Sequence, residues 1–136
     1  MRPAARAVWP FASAIIAAVS ANKATVERYF AAFNRADRAQ ILALLAADVV
    51  WDIPRTHLGA GHAAGKDAFV ADALKAPPGT VSTVTRLVEE HDVVVAEGTV
   101  TTRTPDGAPF TLLFCDLFHL RDAKIAHLTS YLAQPT

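Results

Sequence analysis

Apolar and polar positions alternate through the second half of the chain, and each run stops at turn residues. The clearest stretch is Phe110–Tyr131, FTLLFCDLFHLRDAKIAHLTSY, which predicts two long strands joined at Arg121-Asp122-Ala123-Lys124. Its first strand is apolar on both faces, with Leu112, Phe114, Phe118 and Leu120 on one and Leu113, Cys115 and Leu117 on the other. Asp116 interrupts the Phe114/Phe118 face, and a buried carboxylate is costly unless it is paired, hydrogen-bonded or protonated. Upstream, Val81–Glu89 predicts a strand with Val81, Thr83, Thr85 and Leu87 on one face. Val93–Thr104 follows the turn at Glu90-His91-Asp92, and Pro105-Asp106-Gly107 signals a hairpin into Phe110.

Before residue 81 the period lengthens. Val26, Tyr29, Phe30 and Phe33 repeat at helical spacing and predict a helix over about Asn22–Arg35, with the Tyr29 hydroxyl on its apolar face. Asp37 and Gln40 have capping-box spacing ahead of a second helix that buries Ile41, Leu42, Leu44 and Leu45. Asp48–Ile53 predicts a short strand stopped by Pro54, with Trp51 and Ile53 on one face and Asp52 on the other. Arg55–Gly65 (RTHLGAGHAAG) predicts a loop. A third helix, Lys66–Lys75, turns Phe69, Val70 and Leu74 inward and ends at Pro77-Pro78-Gly79. Helices first and strands after define an α+β fold. The expected architecture is a cone-shaped roll: a curved, mainly antiparallel sheet packed against three N-terminal helices around an apolar interior.

Composition narrows the class. With 136 residues, 52% hydrophobic and 19% charged, the chain makes one globular domain. Thirteen basic residues balance thirteen acidic ones, which removes the electrostatic basis for nucleic-acid binding. A lone cysteine, Cys115, excludes an internal disulfide and a thiolate metal cluster, and its apolar strand context fits an inert buried thiol. Residues 1–21 stand apart as an N-terminal extension to a domain spanning 22–136. They read either as an over-extended start, which implies a cytoplasmic protein, or as a signal peptide, which implies export. Pro10 and the short apolar run argue against a stable membrane span. No phosphate-binding glycine loop and no dinucleotide fingerprint occurs, so no cofactor is expected.

Three segments carry a family likeness: VERYFAAFNRADRAQILALLAADVVWDIP, the loop ending GKDAF, and CDLFHLRDAKIAHLTSYL. Over about residues 22–133 the chain resembles the SnoaL-like and ketosteroid-isomerase-like branch of the nuclear-transport-factor-2-like superfamily. That fold hosts isomerases, cyclases, dehydratases, epoxide hydrolases and non-catalytic binders. In ketosteroid isomerase a carboxylate base moves a proton while a Tyr and a protonated Asp donate to the enolate oxygen. The likeness places the two donors on Tyr29 and Asp116 and the general base on Ile53, which cannot take a proton. The acid of the epoxide hydrolases would fall on Ser130.

The base must then come from elsewhere. His57 and His62 lie on the loop expected at the cavity mouth, where a neutral imidazole would suit proton transfer near neutral pH. The likeness also implies an inward face for Glu97, Thr99 and Thr101, making Glu97 another base. The expected ligand lining is Phe33, Trp51, Ile53, Phe69, Thr99, Thr101, Phe114, Phe118, Leu128 and Ser130. His57, His62 and Asp52 do not form the convergent set a metal needs, so no metal site is expected. His119, His127 and Tyr131 share the opposite sheet face. Three functions remain open: isomerase-, cyclase- or lyase-type proton transfer on an apolar carbonyl compound, binding of such a ligand without turnover, or a structural dimer module. A homodimer through the uncovered sheet face is expected in each.

Overall fold

The apolar stripe of the first helix sets the packing. In the computed structural model, which describes residues 10–136 and side-chain surroundings from residue 21, helix α1 spans Pro10–Asn34. Val26, Tyr29 and Phe30 are buried on it, and Phe33 packs at the core margin. The helix begins well before Asn22, so the expected boundary at residue 21 falls inside it. The Ala-rich sequence after Pro10 contains no further Pro and no Gly to break a helix. Residues 1–9 of the expected extension lie outside the described residues. At the other end Ala36 adopts φ 53°, with Asp37 N–H bonded to the Ala32 carbonyl and Ala36 N–H to that of Phe33. This is the paired bonding of a left-handed helix stop. Asp37 then caps α2 (Arg38–Leu44), its carboxylate accepting from Gln40 N–H at 3.1 Å. Helix α3 (Lys66–Ala73) buries Phe69, Val70 and Ala73.

Six strands form one open mixed sheet: β1 (Leu45–Thr56), β2 (Gly59–Ala64), β3 (Val81–Glu90), β4 (Val93–Arg103), β5 (Pro109–Arg121) and β6 (Lys124–Ala133). Their spatial order is β2-β1-β6-β5-β4-β3, with β1 and β6 parallel and the other neighbours antiparallel. The helices pack on one face, and the core lies between them and the sheet. Thr25 Oγ1 donates to the Ala123 carbonyl at 2.9 Å, tying α1 to the β5–β6 turn, where Asp122 and Ala123 both have positive φ. The Asn34 side chain brackets Ser82, donating to its carbonyl at 2.9 Å and accepting from its N–H at 2.8 Å.

Two expectations change. The strand expected to stop at Pro54 runs on to Thr56, and the expected Arg55–Gly65 loop contains β2, paired to β1. Pairing with β6 extends to Asp52, and the β2 register shifts between Ile53 and Thr56, so Pro54 is not required to donate to either neighbour. The expected face Val81/Thr83/Thr85/Leu87 is split by a bulge. Val84 opposes Gly98 and Arg86 opposes Glu97, leaving Thr85 as the extra residue. Ser82, Val84 and then Leu87 turn toward the core, whereas Val81, Thr83 and Thr85 are exposed.

Candidate functional site

A cavity of about 90 Å³ lies between α1 and the inner sheet face. Phe33, Ile53, Val100, Phe114 and Leu132 give it apolar walls, and Tyr29, Asp116, Ser130 and Trp51 converge on it. Helix periodicity brings Tyr29 in beside Phe33. Strand alternation turns Asp116 inward with Phe114 and Phe118, and pairing of β5 with β6 sets Ser130 directly opposite Asp116. Trp51 is fixed by its ring, 4.8 Å from that of Phe69. Tyr29 sits among Phe30, Phe69 and Phe118 at 5.3, 5.9 and 5.5 Å in edge-on contacts.

The polar groups are neighbours. Trp51 Nε1–H donates to Ser130 Oγ at 3.0 Å, and the β5–β6 register sets Ser130 beside Asp116. The Asp116 carboxyl oxygen Oδ1 is buried with no hydrogen-bond partner among the described residues. Burial pushes the Asp116 acid up to about 7, against the smaller opposing pull of the neighbouring Ser130 hydroxyl. Burial, with the Asp116 charge added, also raises Tyr29, which stays a phenol. The site therefore offers a neutral-or-ionised acid beside a fixed phenol in an apolar enclosure. That arrangement can hydrogen-bond a ligand oxygen and exchange a proton with it near neutral pH.

The other expected bases do not reach this cavity. His57 is exposed in the β1–β2 turn. His62 is on the outer sheet face, its Nδ1 at 2.6 Å from Asp52 Oδ1, because β2 pairs it opposite Asp52. Glu97, Thr99 and Thr101 also face outward. Ala96 and Gly98 occupy the inward positions of β4, opposite Asp116 and Phe114. Glu97 is exposed, 3.5 Å from Arg86. Phe69, Phe118 and Leu128 are inward but wholly buried behind the cavity wall. Phe30, Ser82, Val100 and Leu132 line the cavity although none was among the expected ligand lining, Phe30 being read only as part of the α1 stripe. For Ser82 the bulge at Thr85 hid the parity; for Val100 and Leu132, inward alternation from Gly98 and Ser130 was the available signal.

The outer face has its own features. Asp52 accepts from both His62 and His127, the latter through Nε2 at 2.9 Å, and these bonds hold its carboxyl below the ordinary range. The His127 ring lies 5.8 Å from that of His119. A shallow apolar groove of about 430 Å³ crosses this face beside Leu113, Cys115 and Tyr131. Although larger, it lacks a buried polar group. Burial raises the Cys115 thiol, which leaves it a poor nucleophile. Among the described residues, no three metal-ligating side chains converge and no helix is long and apolar enough to cross a membrane.

Three helices on one face of an open six-stranded sheet, around a cavity with an acid at its polar end, define the nuclear-transport-factor-2-like α+β cone. The chain belongs to the SnoaL-like domain family, whose model matches residues 26–128. Solved structures agree. An NTF2-like protein of unknown function from Burkholderia pseudomallei superposes with a TM-score of 0.73 at 24% identity, covering 83% of this chain and 91% of that one. TerC, crystallised with polyporic acid, superposes at 0.70 with 26% identity, covering 81% and 89%. A ketosteroid-isomerase-like protein from Kribbella flavida superposes at 0.70 with 21% identity, covering 87% and 82%. Among curated protein sequences none matches the chain.

Proposed function

We propose that the inner cavity binds a small apolar carbonyl compound and that Asp116 exchanges a proton with it, in isomerase- or cyclase-type chemistry that uses no cofactor. The observation that carries this reading is the largely buried Asp116 carboxyl lining an enclosed cavity beside Tyr29. A carboxyl buried there at no benefit would cost stability, and a ligand oxygen in the cavity would offset that cost. Ionised Asp116 accepts a proton from the carbon next to a carbonyl; protonated Asp116 returns it. Tyr29 holds the oxygen throughout. The crystallisation of TerC with polyporic acid supports a small-molecule role for a protein of this fold.

A second reading, binding without turnover, is favoured by the outward positions of His62 and Glu97, which leave Asp116 as the one group suited to move protons. Calorimetric titration with 2-cyclohexenone and 2-naphthol tests the site. We expect binding that weakens by about 1–3 kcal/mol in Asp116→Leu and less in Tyr29→Phe. Incorporation of deuterium from solvent beside the ketone, lost in Asp116→Leu, decides for proton transfer. Binding without that exchange decides for the second reading, and unchanged affinity in Asp116→Leu removes Asp116 from the site.

A further inference from the structure

The inner cavity is graded along its length. Buried groups, Tyr29, Phe114, Asp116 and Ser130, form its deep end, and the half-buried Phe33, Ile53, Val100 and Leu132 ring its outer end. The space among them is about 90 Å³. By comparison, an engineered apolar cavity of about 150 Å³ is needed to hold benzene. A ring compound seated against Asp116 therefore reaches the outer residues, and their spacing decides what fits.

Ile53 is the outer residue whose position has an identifiable cause. Strand β1 lies between β2 and β6. Ile53 thus has Gly61 of β2 directly opposite on one side, and Ser130 and Leu132 of β6 across the cavity on the other. A Cβ on Gly61 would lie 3.2 Å from Ile53 Cδ1 and 3.4 Å from its Cβ and Cγ1. Gly61 lacks the positive φ of Gly59 and Gly65, so its backbone does not call for glycine. The Ile53 side chain does. With no Cβ in the way, it packs against β2 and stays off the cavity. A methyl group at position 61 would drive it toward β6, across the cavity mouth.

We propose that Ile53, seated against Gly61, sets the width of the cavity mouth and restricts the site to acyclic and single-ring carbonyl compounds, excluding fused rings. This deepens, and rests on, the ligand-site reading above. Ile53 is the specificity-determining residue, and Gly61 is a positioning residue that acts through it.

The test is calorimetric titration of the full chain with 2-cyclohexenone and with its larger fused-ring relative 2-tetralone. In the wild type the single-ring ketone should bind about tenfold tighter, although the larger ketone has more apolar surface to bury. Ile53→Ala should raise the affinity for 2-tetralone about tenfold. Gly61→Ala should weaken 2-cyclohexenone about tenfold and shift the ¹³C signal of the Ile53 δ1 methyl group. Gly61→Ala/Ile53→Val removes the 3.2 Å contact and should restore binding. Equal or tighter wild-type binding of 2-tetralone overturns the size restriction, as does an Ile53→Ala protein that gains nothing for it. Wild-type affinity in Gly61→Ala, or a loss that Ile53→Val does not relieve, overturns the role of Gly61. In those outcomes 2-cyclohexenone still binds and the ligand-site reading stands. If neither ketone binds the wild type or Ile53→Ala, that reading fails and the size restriction falls with it.

Discussion

Asp116 makes its own contribution to the pH dependence of stability. Its ordinary value of 3.8 applies to the unfolded chain, and burial lifts the folded acid to about 7. Between those limits the folded state holds a proton that the unfolded state has lost, so stability falls as pH rises. The contribution is fully present below about 3.8, is lost as pH rises through about 7 and is flat above. Its span is roughly 4 kcal/mol at about 1.4 per pH unit. Asp48, Asp52 and Asp106 behave oppositely. Hydrogen bonds from Arg121, from His62 and His127, and from Thr104 depress their acids, so their contributions are lost as pH falls below the ordinary carboxylate range. The window from pH 4 to 7 therefore isolates Asp116 among the shifted carboxylates. Urea unfolding across that window should show the wild type losing stability toward neutral pH relative to Asp116→Asn, which keeps the shape without the titration. A constant difference between the two proteins would mean that Asp116 is ionised throughout.

The bulge in β3 places a demand on its neighbour. A Cβ on Gly98 would lie 2.0 Å from the Thr83 carbonyl oxygen and 3.0 Å from a Phe114 ring carbon, and the nearer atom is backbone. Gly98→Ala should cost about 2–4 kcal/mol by forcing the β3–β4 ladder apart beside the cavity wall; a chemical-denaturation midpoint within error of the wild type would show that the strands part freely. The same bulge explains what alternation alone could not foresee. A single inserted residue reverses the facing of everything beyond it, so Ser82 and Leu87 share the core side and Thr85 drops out of the alternation expected to join it to Leu87. For Glu97, Thr99 and Thr101 the three residues kept one common face, and only its side was misassigned. The small side chains of Ala96 and Gly98 pack beneath α1 and the aromatic cluster, so they, and not the longer Glu97, take the inside. His62 was misplaced because a Gly- and His-rich segment lacks the β-branched residues that announce a strand, yet pairing with β1 is enough to make it one. Where pattern and core agreed, expectation and structure coincide: the α1 stripe, the Asp37 cap, the two-faced β5, the opposed sides of Trp51 and Asp52, and the inward Asp116. The Trp51–Ser130 bond required the β1/β6 parallel pairing, a contact between distant segments that no local pattern records.

Among the described residues, helices cover only one of the two sheet faces. The outer face carries Val81, Val88, Leu113 and Tyr131 at 44, 50, 42 and 50% exposure, together with the shallow groove beside Cys115. Apolar side chains of this size grouped on one side of a domain mark an association surface. A second copy suits it, because the face is mixed in charge. Arg86 lies 3.5 Å from Glu97, and Asp52 is bracketed by His62 and His127. A two-fold axis through such a surface can bring each group against its opposite on the partner without a net charge to repel. The prediction is a homodimer through the outer face, leaving the inner cavity of each copy intact. Light scattering during size-exclusion chromatography should give twice the chain mass for the full-length protein. Leu113→Glu, which places a charge in the groove without touching the core, should give the monomer mass with an unchanged circular-dichroism spectrum. Calorimetric binding in the inner cavity should survive the substitution, since Leu113 points away from Asp116. A wild-type protein that elutes at the monomer mass at tens of micromolar would remove the second copy as the occupant of this face.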